Sequence, residues 1–246
     1  MTHILRSEWT KIRSVRSTVW TLAATAVLML GLSALLSASV KSQADGPIPG
    51  GEAIATSLMG SMFASLSMAA LGVLVISSEY RTGSIRTSLM AVPTRMRLLI
   101  GKIVVFTIVS LVVCAVAAAG SIGVGLAISQ PPSVDLGQLV WSTMGCSAYL
   151  TACGLFGLGL GTLIRHTPGA LVSAIALMLV LPPLTYQLPG EWGKAVNAYF
   201  TTNAGQLIVT GRANDFLGPV SGFGVYLAWV AVAMVAGAVL LQRRDA

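Results

Sequence analysis

The sequence predicts an all-α, polytopic membrane protein with six transmembrane helices, and three observations predict it. Hydrophobic residues make up 55% of the 246-residue chain and charged residues only 9%, against about 25% charged in a typical soluble domain. Mean hydropathy is +0.82. Six uncharged runs, 19–40, 53–78, 103–134, 136–164, 167–190 and 216–242, each exceed the roughly 18 residues that mark a membrane span. Such runs become helices because, in hydrocarbon, every main-chain polar group must be bonded within the segment. This composition excludes a soluble enzyme, a secreted disulfide scaffold and a disordered binder. The whole chain, 1–246, reads as a single transmembrane domain.

Residues 1–18 precede the first span as a polar helix candidate. At about 100° per residue, Ile4, Leu5, Trp9, Ile12 and Val15 share an arc of roughly 140°, with Arg6 and Arg13 opposite. Glu8 intrudes on the apolar arc and Arg16 stands at its edge. Such a helix lies in the membrane interface with its basic face towards anionic lipid headgroups. The plainer alternative is a charged flank that only sets topology. The first run has 22 uncharged residues, against roughly 7–15 in a signal-peptide core, so it is expected to stay as a span.

The basic residues are divided unequally between the two sides. Segments 1–18 and 79–102, together with Arg165, Arg243 and Arg244, hold 12 of the 15, leaving Lys41, Lys194 and Arg212. By the positive-inside rule both termini are cytoplasmic, in keeping with an even number of spans. The net charge of +7 is therefore read as orientation. No Lys/Arg run is interleaved with aromatics, so nucleic acid is not an expected partner. Segment 187–215 follows Pro182 and Pro183 and is the sizeable external one. It mixes Trp192, Tyr199 and Phe200 with few charges, which suits short interfacial or re-entrant helices.

The runs contain no Asp, Glu, Lys, Arg or His. A proton relay or acid–base chemistry inside the bilayer thus has no candidate group. The two histidines, His3 and His166, lie outside the runs, and no HExxH is present. Cys114, Cys146 and Cys153 sit within apolar runs and read as small apolar side chains. No catalytic, cofactor or metal-binding residue is expected. The chain also lacks GxxxxGK[ST], so directed transport would draw its energy from another subunit. A sodium site of carbonyls and hydroxyls remains open as an alternative.

In span two, Ser57, Ser61 and Ser65 recur every fourth residue, accompanied by Gly60, Met62, Ala64, Met68 and Gly72. Two readings stand: small residues that let helices approach closely, or a substrate path lined by hydroxyls and thioethers. Gly154, Gly157, Gly159 and Gly161 of span four read as packing.

The stretch from Ser77 to Lys102 is longer than a turn needs. Gly83 allows a break without a Cβ clash, and Pro93 ends the helix before it. Between them Ile85, Leu89 and Met90 share a helical face. Glu79 and Arg86 would pair with a partner or brace the turn. Glu79, then Gly83-Ser84-Ile85-Arg86, then Pro93, Arg95 and Lys102 resemble the first cytoplasmic loop of type-2 ABC permeases, the six-span membrane subunits of ATP-binding-cassette exporters. Ser7-Glu8-Trp9-Thr10-Lys11-Ile12-Arg13-Ser14 resembles the connecting helix of their short bacterial, actinobacterial-like members. Ser84 stands where the family more often has Thr, which keeps the hydroxyl.

This resemblance implies a transport subunit of the bacterial cell membrane, not itself an enzyme. Two permeases, identical or paired with a homologue, would dock on two ATPase subunits that bind ATP-Mg. The implied coupling residues are Glu8, Glu79, Arg81, Gly83, Ser84, Arg86, Pro93 and Arg95. The implied substrate path runs between the permeases along spans two and five, with Ser57, Ser61, Met62, Ser65 and Met68 as its candidates, and the external segment closes the exit. Two alternatives from other classes are a secondary carrier with a backbone sodium site and a non-transporting scaffold or immunity protein. An ATPase partner separates the first reading from both.

Overall fold

A computed structural model describes residues 6–7, 9–10, 16–44, 46–82 and 95–243, without the side chains of residues 81, 82, 95, 242 and 243. Its helices are α1 (Arg16–Gln43), α2 (Gly50–Ser57), α3 (Ser61–Thr82), α4 (Arg95–Ser129), α5 (Leu136–Ile164) and α6 (Thr167–Ile175). A π-helical turn, Ala176–Val180, then leads into α7 (Leu181–Thr185). The chain continues through α8 (Gly190–Tyr199), α9 (Thr201–Gly205), α10 (Leu207–Thr210) and α11 (Pro219–Arg243). Six stretches are long and apolar enough to cross a membrane: α1, α2–α3, α4, α5, α6–α7 and α11. No strand occurs among the described residues. Near the N-terminus, residues 6–7 and 9–10 are helical, and the Thr10 hydroxyl donates to the Arg6 carbonyl.

Local chemistry sets the helix ends. The Asp135 carboxylate accepts from the Gly137 amide at 2.8 Å and opens α5. His166 does the same for α6 through Nδ1, with a Pro in the first turn. Both are N-caps that satisfy amides left without a helical partner.

Span two departs from the single helix expected. It steps at residues 58–60, where the amides of Leu58, Met59 and Ser61 donate to carbonyls only three residues back. Gly60 lies at this step against α1: a Cβ there would stand 3.1 Å from Leu32 Cβ and 3.4 Å from Met29 Cα. Span three also differs, since its helix begins at Arg95 and not near Ile103.

α5 is the hub, packing on α3, α4, α6 and α11. Its apolar window is 78% buried, against 17% for α1 and 22% for span five. Glycines permit this. A Cβ at Gly72 would lie 1.8 Å from the Gly154 carbonyl, and one at Gly157 would lie 2.0 Å from that of Ala69. The backbones of α3 and α5 therefore touch, the close approach that drives helix association in lipid. Hydroxyls fasten α1 to the rest: Ser33 donates to the Ser121 carbonyl at 2.7 Å, and Thr25 and Ser67 share a hydrogen bond at 2.8 Å. Segment 187–215 folds onto α5 and α11, with Gly205 pressed against the rings of Tyr149 and Tyr226.

Candidate functional site

At the end of the bundle where span two leaves and span three returns, charge is buried. Lys102 Nζ, two turns into α4, donates to Glu79 Oε1 in the last turn of α3 at 2.8 Å, and the two side chains are 2% and 9% exposed. Charges this buried persist only when paired. This pair joins the two helices that flank residues 83–94.

A second cluster adjoins it. Arg165 ends α5 in the left-handed conformation, φ 58°. Its guanidinium carbon lies 5.2 Å from the centre of the Tyr80 ring, a cation–π arrangement. Its Nη2 donates to the Leu240 carbonyl of α11 at 3.3 Å. Beside it, Thr167 Oγ1 donates to Ser77 Oγ at 3.0 Å. The ends of α3, α4, α5, α6 and α11 are thus tied by side chains.

Of the implied coupling residues, Glu79 alone has a described side chain. Arg81 lies in α3 and Arg95 starts α4. Glu8, Gly83, Ser84, Arg86 and Pro93 lie outside the described residues. The span-two residues divide by face. Ser57, Ser61, Ser65 and Met68 are buried within the protomer. Ser57 and Ser65 donate back to the carbonyls of Ala53 and Met62, both at 2.6 Å. Met62 points the other way, 45% exposed, beside exposed Met59 and Phe63.

At the opposite end, a recess of about 370 Å³ is lined by Tyr186, Lys194, Asn197, Asn214, Asp215 and Phe216, among others. Glu191, bonded to Lys194 at 2.7 Å, raises that ammonium above its ordinary range. Among the described residues, no three His, Cys, Asp or Glu side chains gather to hold a metal.

Sequence reasoning missed the roles of Lys102, Tyr80, Arg165 and Thr167. Lys102 and Arg165 were legible as basic residues on one side, but their contacts depend on helices far apart in sequence. The model of the ABC-2 family transporter protein matches residues 4–185, which takes in the polar N-terminal stretch, residues 83–94 and five spans. No curated protein sequence matches the chain. With about three-quarters of its length matched, the chain belongs to the ABC-2 transporter family, as a multi-pass membrane permease.

Proposed function

We propose that the chain is the membrane subunit of an ATP-driven exporter of the bacterial cell membrane, with both termini cytoplasmic. It would work as a pair of permeases on two ATPase subunits, which bind ATP-Mg. The observation that carries the coupling role is the buried Glu79–Lys102 pair. A coupling element must pass on a displacement without absorbing it, and a buried ion pair fixes the helices on both sides of residues 83–94. The Arg165 cluster extends that stiffness to α11. In this reading the chain performs no hydrolysis. It converts motion at the loop into movement of spans along the path. The uncharged spans fit an amphiphile, hydrophobic drug, lipid or peptide better than a small ion, because a strongly charged ion needs side-chain partners at membrane depth.

The test is reconstitution with the partner ATPase. The complex is expected to show ATP-dependent efflux and ATP hydrolysis stimulated by substrate. Glu79→Gln and Gly83→Val should insert with normal topology yet lose both. Full activity in both variants, in a complex shown to contain the ATPase, removes the loop from the mechanism. Sodium-dependent uptake with no ATPase bound would replace this reading with the carrier.

A further inference from the structure

Span five is built around a gap in its own hydrogen bonding. In an α-helix each carbonyl accepts from the amide four residues on. Within the π turn the Leu181 amide reaches back five residues, to Ala176, so the Leu177 carbonyl loses its usual donor. The residue five beyond Leu177 is Pro182, which has no N–H. The Met178 carbonyl fares worse, since its four- and five-residue donors would be Pro182 and Pro183. Both carbonyls are nevertheless satisfied. Thr201 Oγ1 donates to Leu177 at 2.7 Å and Thr202 Oγ1 to Met178 at 3.0 Å, with both threonines buried. Beyond the turn, Thr185 Oγ1 donates to the Pro182 carbonyl at 2.6 Å and accepts from Asn197 Nδ2 at 2.7 Å. Two adjacent hydroxyls of α9 thus replace two adjacent missing main-chain donors of span five.

We infer that Thr201 and Thr202 are the positioning residues of span five: they pin two carbonyls of its π turn to α9, while Asn197 and Thr185 join α8 to α7, so that the π turn is a joint kept in its π form by α9. Their roles differ. If the turn relaxes to α-helix, the Leu181 amide can bond Leu177 and displace Thr201, whereas no main-chain donor can displace Thr202. Thr201 therefore holds the π turn and Thr202 holds the segment. Relaxation would wind α7 forward by about one residue, roughly 100°. That carries Leu184, now 55% exposed, towards the buried direction of Thr185. The inference deepens the exporter reading, since it supplies a hinge for the segment expected to close the exit. It is testable without transport.

The full-length chain in membranes carries a cysteine at Leu184; native Cys114, Cys146 and Cys153 are buried. Thr201→Val should slow alkylation at that cysteine several-fold by a membrane-soluble maleimide, while Thr201→Ser keeps the original rate. Separately, Thr202→Val should lower the folded yield and the melting midpoint. Adding Pro182→Ala, which restores an amide opposite Met178, should recover them. Equal alkylation in Thr201→Val and Thr201→Ser overturns the inference, as does failure of Pro182→Ala to rescue Thr202→Val. Should Thr201→Val not accumulate, the rescue decides alone. Neither arm uses the ATPase, so their failure leaves the exporter reading standing, and failure to bind an ATPase leaves the joint standing.

Discussion

Glu79 and Lys102 are 23 residues apart in sequence yet form a buried contact at 2.8 Å. Removing one member of such a pair strands the other charge, at a cost of about 3–5 kcal/mol. Lys102→Met and Glu79→Gln are each expected to lower the melting midpoint of the purified protein. The exchange Glu79→Lys with Lys102→Glu should recover most of that loss. Transport by the exchanged protein then divides the two jobs open to Glu79: stability with transport means the brace suffices, and stability without transport means the carboxylate also meets the partner. Single variants that melt like the unaltered chain would remove the brace. None of this was readable locally, because helix and turn rules relate residues three or four apart. Lys102 in particular entered only as a positive-inside charge and as the last residue of the loop motif, with no partner assigned to it.

Among elements, what was legible followed from hydropathy alone. Six uncharged runs gave six spans, two of them interrupted, because the bilayer allows few structures other than helices. The four glycines of span four were likewise legible as packing, and Gly157 does meet the Ala69 backbone. The step at residues 58–60 and the π turn were not legible, since each answers to a neighbouring element: Met29 and Leu32 for one, Thr201 and Thr202 for the other. Pro182 and Pro183 marked the place but not the repair. The α3–α5 contact yields a direct test. Gly72→Val should lower the melting midpoint, with overpacking of roughly 1–3 kcal/mol or more, while Gly31→Ala, which meets nothing within 4 Å, should not. Met62→Trp separates path from packing. Its exposed position should tolerate the ring in the folded protomer, so transport should fall while melting does not. Unchanged transport would leave that face of span two with no part in the path.

For the whole molecule the arrangement predicts a sidedness. Cysteines at Ala44 and Asn214 lie at one end of the bundle and one at Thr82 lies at the other. A membrane-impermeant thiol reagent applied to intact cells should modify the first two and not the third. Modification of Thr82→Cys alone would invert the molecule and separate residues 83–94 from any cytoplasmic ATPase.

The length of α4 gives this sidedness a mechanical consequence. Its 35 residues extend about 52 Å, well beyond the roughly 30 Å of hydrocarbon. The helix therefore stands proud of the hydrocarbon, and the pairing of Lys102 with Glu79, about 10 Å from its Arg95 end, ties it there to α3. Near the other end Ser33 bonds its Ser121 carbonyl and Lys41 its Ile128 carbonyl, which ties it to α1. A rod fastened at both ends does not swing about either one, so a push at Arg95 would have to carry α1 and α3 along with it.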